Sequence, residues 1–434
     1  MNELTFKKIR LVLCLTLSIF VLFTFITYFF NRFNSSIIIY FIIFQFLTWS
    51  PVFFKKKMII LTNSLFFLIL INLLSTPFNY SLTKDLPYNI PNSEYNKDYT
   101  NSDYFKNIFY GKHRISFDEM GYRTNNKKID YTKKKDNILR IFTIGGSTTI
   151  QIPLDDSKTW SSLTGTKIQK NYNKEVEVIN TGLLGFKSSH HYLTLKRIEK
   201  YNPDIVVFLV GINDWNDHIV LNKIEFLFPY YQLNYDVKNS ILYRGLKNIE
   251  KQFVKKTSHL FNFQKKSSPY YQPTADIVEE KFWFENRTHL INAESEGKKI
   301  KRFKTKTVSQ RYNFWMSKII NECNKKSYTC IFMDQPTAYK DNISEDLKSR
   351  LWMTPPYVDY TLPFEDLMDI SIVYNNWLKK NISENNLNFV ELSTKIPPTL
   401  DHFFDECHFT EKGSQVVSNI LFNHIRDNLD LNKL

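Results

Sequence analysis

A serine becomes a useful nucleophile only where a base can take its proton and where hydrogen-bond donors wait for the charge that develops on the attacked carbonyl. Ser147 stands in Gly145-Gly146-Ser147-Thr148-Thr149, directly after an apolar run over residues 138–144. That order predicts a strand-to-helix turn. Two glycines permit the tight backbone, and the serine amide and hydroxyl then face one space near the positive end of a helix. Far along the chain, Phe404-Asp405-Glu406-Cys407-His408-Phe409-Thr410 sets an aspartate three residues before a histidine. At that distance Asp405 can fold back on His408, orient the imidazole and stabilise it once it has collected a proton.

Two further segments run a strand into small or amide side chains. One is Val178-Ile179-Asn180-Thr181-Gly182-Leu183-Leu184-Gly185; the other is Val207-Phe208-Leu209-Val210-Gly211-Ile212-Asn213-Asp214. Other reactive residue types lack such company. Cys407, although beside His408, has no partner pattern of its own and reads as incidental. His190 and His191 have no acidic or cysteine partner at metal-ligand spacing, so they read as partly buried helix residues, and no metal is expected. Gln335, in Asp334-Gln335-Pro336, reads as a turn after a strand or as a substrate contact. No nucleotide-binding glycine loop is present, so no cofactor is expected.

The elements that must hold these residues are legible from hydrophobic patterning. Short apolar runs over 138–144, 176–180, 205–210, 328–333 and 387–392 are continuous and β-branched, which argues for parallel strands covered on both faces. Helical patterns over 159–172, 189–201, 310–325 and 365–384 lie between them, and one over 411–429 follows. The alternation predicts an α/β fold, three-layered and doubly wound (flavodoxin-like), on a parallel five-stranded sheet. Residues 76–137 read as a polar connector with some extended structure. Residues 214–309 break the alternation and read as an aromatic, basic insertion, including Trp215, Tyr230 and Trp283, that either meets substrate or is a structural excursion.

Taken together and in this order, the four segments resemble the SGNH (GDSL-like) serine hydrolase family over about residues 138–429. The resemblance implies Ser147 as nucleophile, His408 as general base and Asp405 as its orienter. It also implies an oxyanion hole built from the Ser147 amide, the Gly185 amide and the Asn213 side chain, the spacing from Asn180 favouring Gly185 over Gly182. Gly146 departs from the pattern, standing where the family usually has Asp. The stretch Asp118-Glu119-Met120-Gly121-Tyr122-Arg123 resembles membrane-tethered members associated with surface polysaccharide.

The first 75 residues carry three uncharged apolar stretches, 11–30, 37–54 and 58–74, each near the roughly 20 residues a helix needs to cross a bilayer. They predict N-terminal transmembrane helices ahead of the sheet. Lys55, Lys56 and Lys57 mark the loop after the second stretch as cytoplasmic, which puts residues 138–434 on the extracytoplasmic face. Cys323 and Cys330 flank a short polar segment, and a disulfide between them fits such a compartment. The net charge of +14 is spread over the whole chain, so its basic runs read as solvated faces and no nucleic acid is expected. The expected partners are the lipid bilayer and an ester of a glycan or lipid at the membrane surface. The expected activity is that of an esterase through an acyl-serine, an O-acetylated surface glycan being one substrate; transfer of the acyl group to a sugar hydroxyl, or glycan binding without catalysis, are the alternatives.

Overall fold

Isoleucine, valine and phenylalanine crowd the segments that must be buried on both faces, and these segments form the middle of one sheet. The computed structural model describes residues 91–431 apart from 106, 126–128, 223–224, 226–227, 229–298, 356–357 and 359. In chain order come β1 (Glu94–Asp98), β2 (Lys112–Phe117), β3 (Arg123–Thr124), β4 (Ile138–Gly145), α1 (Ser147–Ile150), α2 (Trp160–Tyr172), β5 (Glu175–Asn180) and α3 (Ser188–Ile198). There follow β6 (Ile205–Leu209), α4 (Ile212–Leu221), β7 (Lys299–Ile300), α5 (Gln310–Cys323), β8 (Thr329–Met333) and α6 (Glu345–Lys348). The last are β9 (Tyr360–Thr361), α7 (Phe364–Glu384), β10 (Asn388–Val390) and α8 (Glu411–Asn428).

The sheet corrects the expected parallel five-stranded one. It has eight strands in the order β1-β2-β3-β5-β4-β6-β8-β10. Strands β5, β4, β6, β8 and β10 pair in parallel, whereas β1, β2 and β3 add an antiparallel edge through the pair Arg123–Asn180. The edge was not legible because β1 and β2 mix lysine, asparagine and histidine with their apolar residues, so they look like connector until β5 offers its open side. The membrane helices placed ahead of the sheet find no counterpart either. Among the described residues no helix is long and apolar enough to cross a membrane, and the stretches 11–30, 37–54 and 58–74 lie outside the described residues. So do residues 229–298 of the insertion, with Tyr230 and Trp283; its beginning is helix α4, and its end contains β7, which pairs with β9.

All eight residues of β4 and all five of β6 are buried, as the middle of a parallel sheet requires; Arg140, the one charge in β4, donates from Nε to Glu177 Oε2 at 2.7 Å. Phe208 on β6 stacks on Phe332 of β8 with ring centroids 4.7 Å apart. Helix α2 packs on β5 and against α8, while α3 packs on β4 and against α5. Cys323 at the end of α5 and Cys330 in β8 form a disulfide.

A second, separate apolar cluster matters more for chemistry. Tyr99, Tyr104, Phe105 and Phe109, from the segment joining β1 to β2, pack with Ile150, Leu183, Phe186 and Phe404. Those last four come from the end of α1, the glycine loop after β5 and the segment that carries Asp405. Apolar burial therefore binds three loops distant in sequence into one body at the carboxyl ends of the parallel strands.

Candidate active site

Gly145 closes β4 where β6 comes so near that a Cβ would lie 2.7 Å from Leu209 O and 2.0 Å from Thr149 Oγ1. Only glycine fits, and the chain turns at once into α1, whose first residue is Ser147. Gly146 carries φ −91° and ψ −147°, and its carbonyl accepts from Thr149 N and Ile150 N at 3.1 Å each. Ser147 is partly exposed, while Thr148, Thr149 and Ile150 are buried. The serine thus stands at the open edge of a turn whose far side is locked in the core.

Three interactions fix that turn from outside. Asn180 Nδ2, at the end of β5, donates to Thr149 O at 2.7 Å. Gln151 Nε2 donates to Ser414 Oγ of α8 at 2.5 Å. The third is a buried guanidinium: Arg123 donates from Nη1 to Gln151 O at 2.5 Å and to Ile150 O, from Nη2 to Leu154 O, and from Nε to Asp156 Oδ1 at 3.0 Å. The Ile150 and Gln151 carbonyls lie at the carboxyl end of α1, a position a cation satisfies well. Arg123 is aimed there by the preceding turn, in which Asp118 Oδ1 accepts from Met120 N and Tyr122 N and Gly121 takes φ +74°. Burial holds the Asp156 carboxyl above its ordinary value, against the opposing pull of the Arg123 guanidinium.

Gly185 is exposed, carries φ +69° and has open space where a Cβ would be. Gly182 instead packs against Ile150 N, 2.6 Å from its notional Cβ. Of the two, Gly185 is therefore the one at an open edge. Asn213, on the first turn of α4, donates from Nδ2 to Phe186 O at 2.9 Å, one residue past Gly185. Its neighbour Asp214 ties the same loop down: Ser188 N donates to Oδ2 at 3.0 Å and Ser188 Oγ to Oδ1 at 2.6 Å. Burial pushes the Asp214 carboxyl up to about 7, against the Ser188 hydrogen bonds that lower it.

Asp405 and His408 meet as their spacing implies. Asp405 Oδ2 lies 2.7 Å from His408 Nδ1, and Oδ1 accepts from Cys407 N at 3.0 Å and His408 N at 2.8 Å. The carboxylate is fully buried, whereas the imidazole keeps 11% of its side-chain surface exposed. Phe404 stacks on the His408 ring at 5.5 Å. Cys407, taken from sequence as incidental, touches the same imidazole, its Sγ lying 3.5 Å from Nδ1. Burial pushes the Cys407 thiol and the Glu406 carboxyl well above their ordinary values.

Other residues singled out in the sequence have settled surroundings. Gln335 is buried; its Oε1 accepts from Thr148 Oγ1 at 3.3 Å and its Nε2 donates to Pro336 O at 3.0 Å. His190 Nδ1 accepts from Lys187 N at 3.2 Å, and burial pushes His191 down to about 3. Trp215 is core. Arg123, Asn180, Asp214 and the contact of Cys407 with His408 were missed. The first three join residues 26 to 33 positions apart, a separation that leaves no local pattern.

No family model matches the sequence, and no curated protein matches it. Solved structures do. An acetylxylan esterase from Geobacillus stearothermophilus, Axe2, is 13% identical over 66% of this chain and 94% of its own, with a TM-score of 0.34. A member of the lipolytic protein G-D-S-L family from Veillonella parvula is 11% identical over 67% and 98%, with a TM-score of 0.32. The esterase EstA from Pseudoalteromonas sp. is 10% identical over 67% and 98%, with a TM-score of 0.33. Likeness at this level carries no argument about chemistry, which rests on the side chains themselves.

Proposed function

We propose that the protein is a serine esterase of the SGNH type, working through an acyl-serine on Ser147. The observation that carries this reading is the Asp405–His408 pair at 2.7 Å, locked by two backbone donors onto the same carboxylate. An imidazole so held keeps Nε2 as the atom that takes a proton. Ser147 Oγ would attack the acyl carbonyl while His408 accepts its proton. The oxyanion would lie between the amides of Ser147 and Gly185 and the second hydrogen of Asn213 Nδ2. Collapse expels the alcohol with the proton from His408, and water repeats the sequence in reverse to free the acid.

The substrate we infer is an O-acetylated glycan outside the cytoplasm, a compartment that would keep the Cys323–Cys330 disulfide oxidised. Incubating the purified chain with acetylated glycans and small aryl esters tests the reading, with acetate release measured beside acetyl transfer to added sugar. Release from a glycan is the expected result. Transfer exceeding release would make the enzyme an acyltransferase on the same acyl-serine, and preference for long-chain esters would replace the glycan by a lipid.

A further inference from the structure

Four consecutive residues beside the site present metal-binding atoms to one another. One ligand atom each from Asp405, Glu406, Cys407 and His408 lies within 4.8 Å of every other, and all four residues are buried. Cys407 Sγ is 3.5 Å from His408 Nδ1 and 3.6 Å from Glu406 Oε1. A tetrahedral zinc with Zn–S about 2.3 Å and Zn–N or Zn–O about 2.0 Å sets sulfur roughly 3.5 Å from its neighbouring ligands. Two of the three sulfur edges of a zinc tetrahedron are thus already present. Glu406 adds an independent sign: its Oε2 is buried and has no hydrogen-bond partner among the described residues. A buried carboxyl oxygen without a donor is costly unless something comes to it. A divalent ion would supply the opposite charge that this thiol and carboxyl lack.

We propose that Asp405, Glu406, Cys407 and His408 form a site for a thiophilic divalent cation, zinc by donor set, whose occupation switches off the Asp405–His408 pair. Nδ1 cannot at once ligate the ion and bond Asp405, so their 2.7 Å contact must open. Both groups then face the ion instead of each other, and the imidazole loses the hydrogen bond that sets the tautomer a base requires. The thiol proton leaves to solvent as sulfur binds. The inhibitory consequence rests on the esterase reading; the binding site does not.

The test uses the full chain carrying Cys14→Ser, so that Cys407 is the sole thiol outside the disulfide. Cadmium is titrated while the ultraviolet thiolate-to-cadmium charge-transfer band is followed, and zinc is titrated against aryl-ester hydrolysis. One equivalent of cadmium should saturate the band, and Cys407→Ser should abolish it. Glu406→Gln, which keeps the thiol, should weaken cadmium binding at least about tenfold, and zinc inhibition should reverse on chelation. No band, a band that survives Cys407→Ser, or unchanged affinity in Glu406→Gln overturns the site. A band that obeys both variants in a chain with no ester turnover would uphold the site and remove the esterase reading.

Discussion

Gly146 lies so close to Asn213 that a Cβ on it would stand 2.6 Å from Asn213 Nδ2 and 3.5 Å from Phe186 O, the acceptor that Asn213 already uses. The backbone before Ser147 and the amide proposed for the oxyanion are therefore close neighbours, and a side chain at 146 must displace the Asn213 amide. Gly146→Ala should push the Asn213 amide off Phe186 O and lower kcat at least tenfold, with KM and folding little changed. Asn213→Ala itself should cost about 10²–10³ in kcat. Steady-state kinetics on an aryl ester reads both, and a kcat within twofold of the parent in either variant would take Asn213 out of the oxyanion hole.

Ser147→Ala and His408→Ala should each abolish turnover, because they remove members of one cooperating unit. Asp405→Asn should lower kcat by about 10⁴, since an amide at the buried position 2.7 Å from Nδ1 favours the wrong tautomer. More than a few percent of parent activity in Ser147→Ala would sink the assignment of the nucleophile.

Asp214 predicts a pH dependence of stability. Its carboxyl, ordinarily at 3.8, is raised to about 7 in the fold. Between those two values the folded chain binds more protons than the unfolded one. The contribution is fully present below about pH 4 and is lost as pH rises through 7, on the order of 1 kcal/mol per pH unit within the window. Asp214→Asn, which retains an acceptor for Ser188, should flatten that slope. Tm profiles from pH 4 to 8 that coincide for the two proteins would contradict it.

Arg123 joins fold to site. Arg123→Met strips a cation from buried Asp156 and from the carbonyls that end α1, and should cost about 3–5 kcal/mol in denaturant unfolding. Adding Asp156→Asn should return part of that, because the uncompensated charge is gone. A double variant no more stable than Arg123→Met would place the loss in packing rather than charge.

Reduction of the Cys323–Cys330 disulfide, which closes a separation of only 7 residues, should destabilise the chain by about 2–3 kcal/mol. Unfolding followed with and without reductant, with the double serine variant as reference, measures it. A variant as stable as the oxidised parent would show that the bond constrains little of the unfolded chain.

Much of the parallel core was open to reading from the chain alone. Residues 205–210 are uninterrupted and largely β-branched because a strand covered on both faces admits no polar alternation, so composition reports burial directly; 138–144 follows the same pattern except at Thr143 and at Arg140, whose buried charge is met by Glu177. Asp405 and His408 were equally legible, since a three-residue separation lets a short loop bring carboxylate and imidazole together. The antiparallel edge was not: Lys112 to Phe117 mixes polar and apolar residues as any exposed connector does, and becomes a strand only because β1 and β3 supply its hydrogen bonds. Arg123 under the Ser147 turn, Ser188 on Asp214 and Asn213 against Gly146 join residues 26 to 67 apart in the chain. Cys407 shows the same division at one step's distance: adjacency to His408 was plain, but the direction of its sulfur was decided by the backbone that Asp405 folds back around itself. Local spacing encodes which residues can be buried or can turn; which polar atoms meet is settled only when distant segments share one core, as Phe105, Ile150, Phe186 and Phe404 do here.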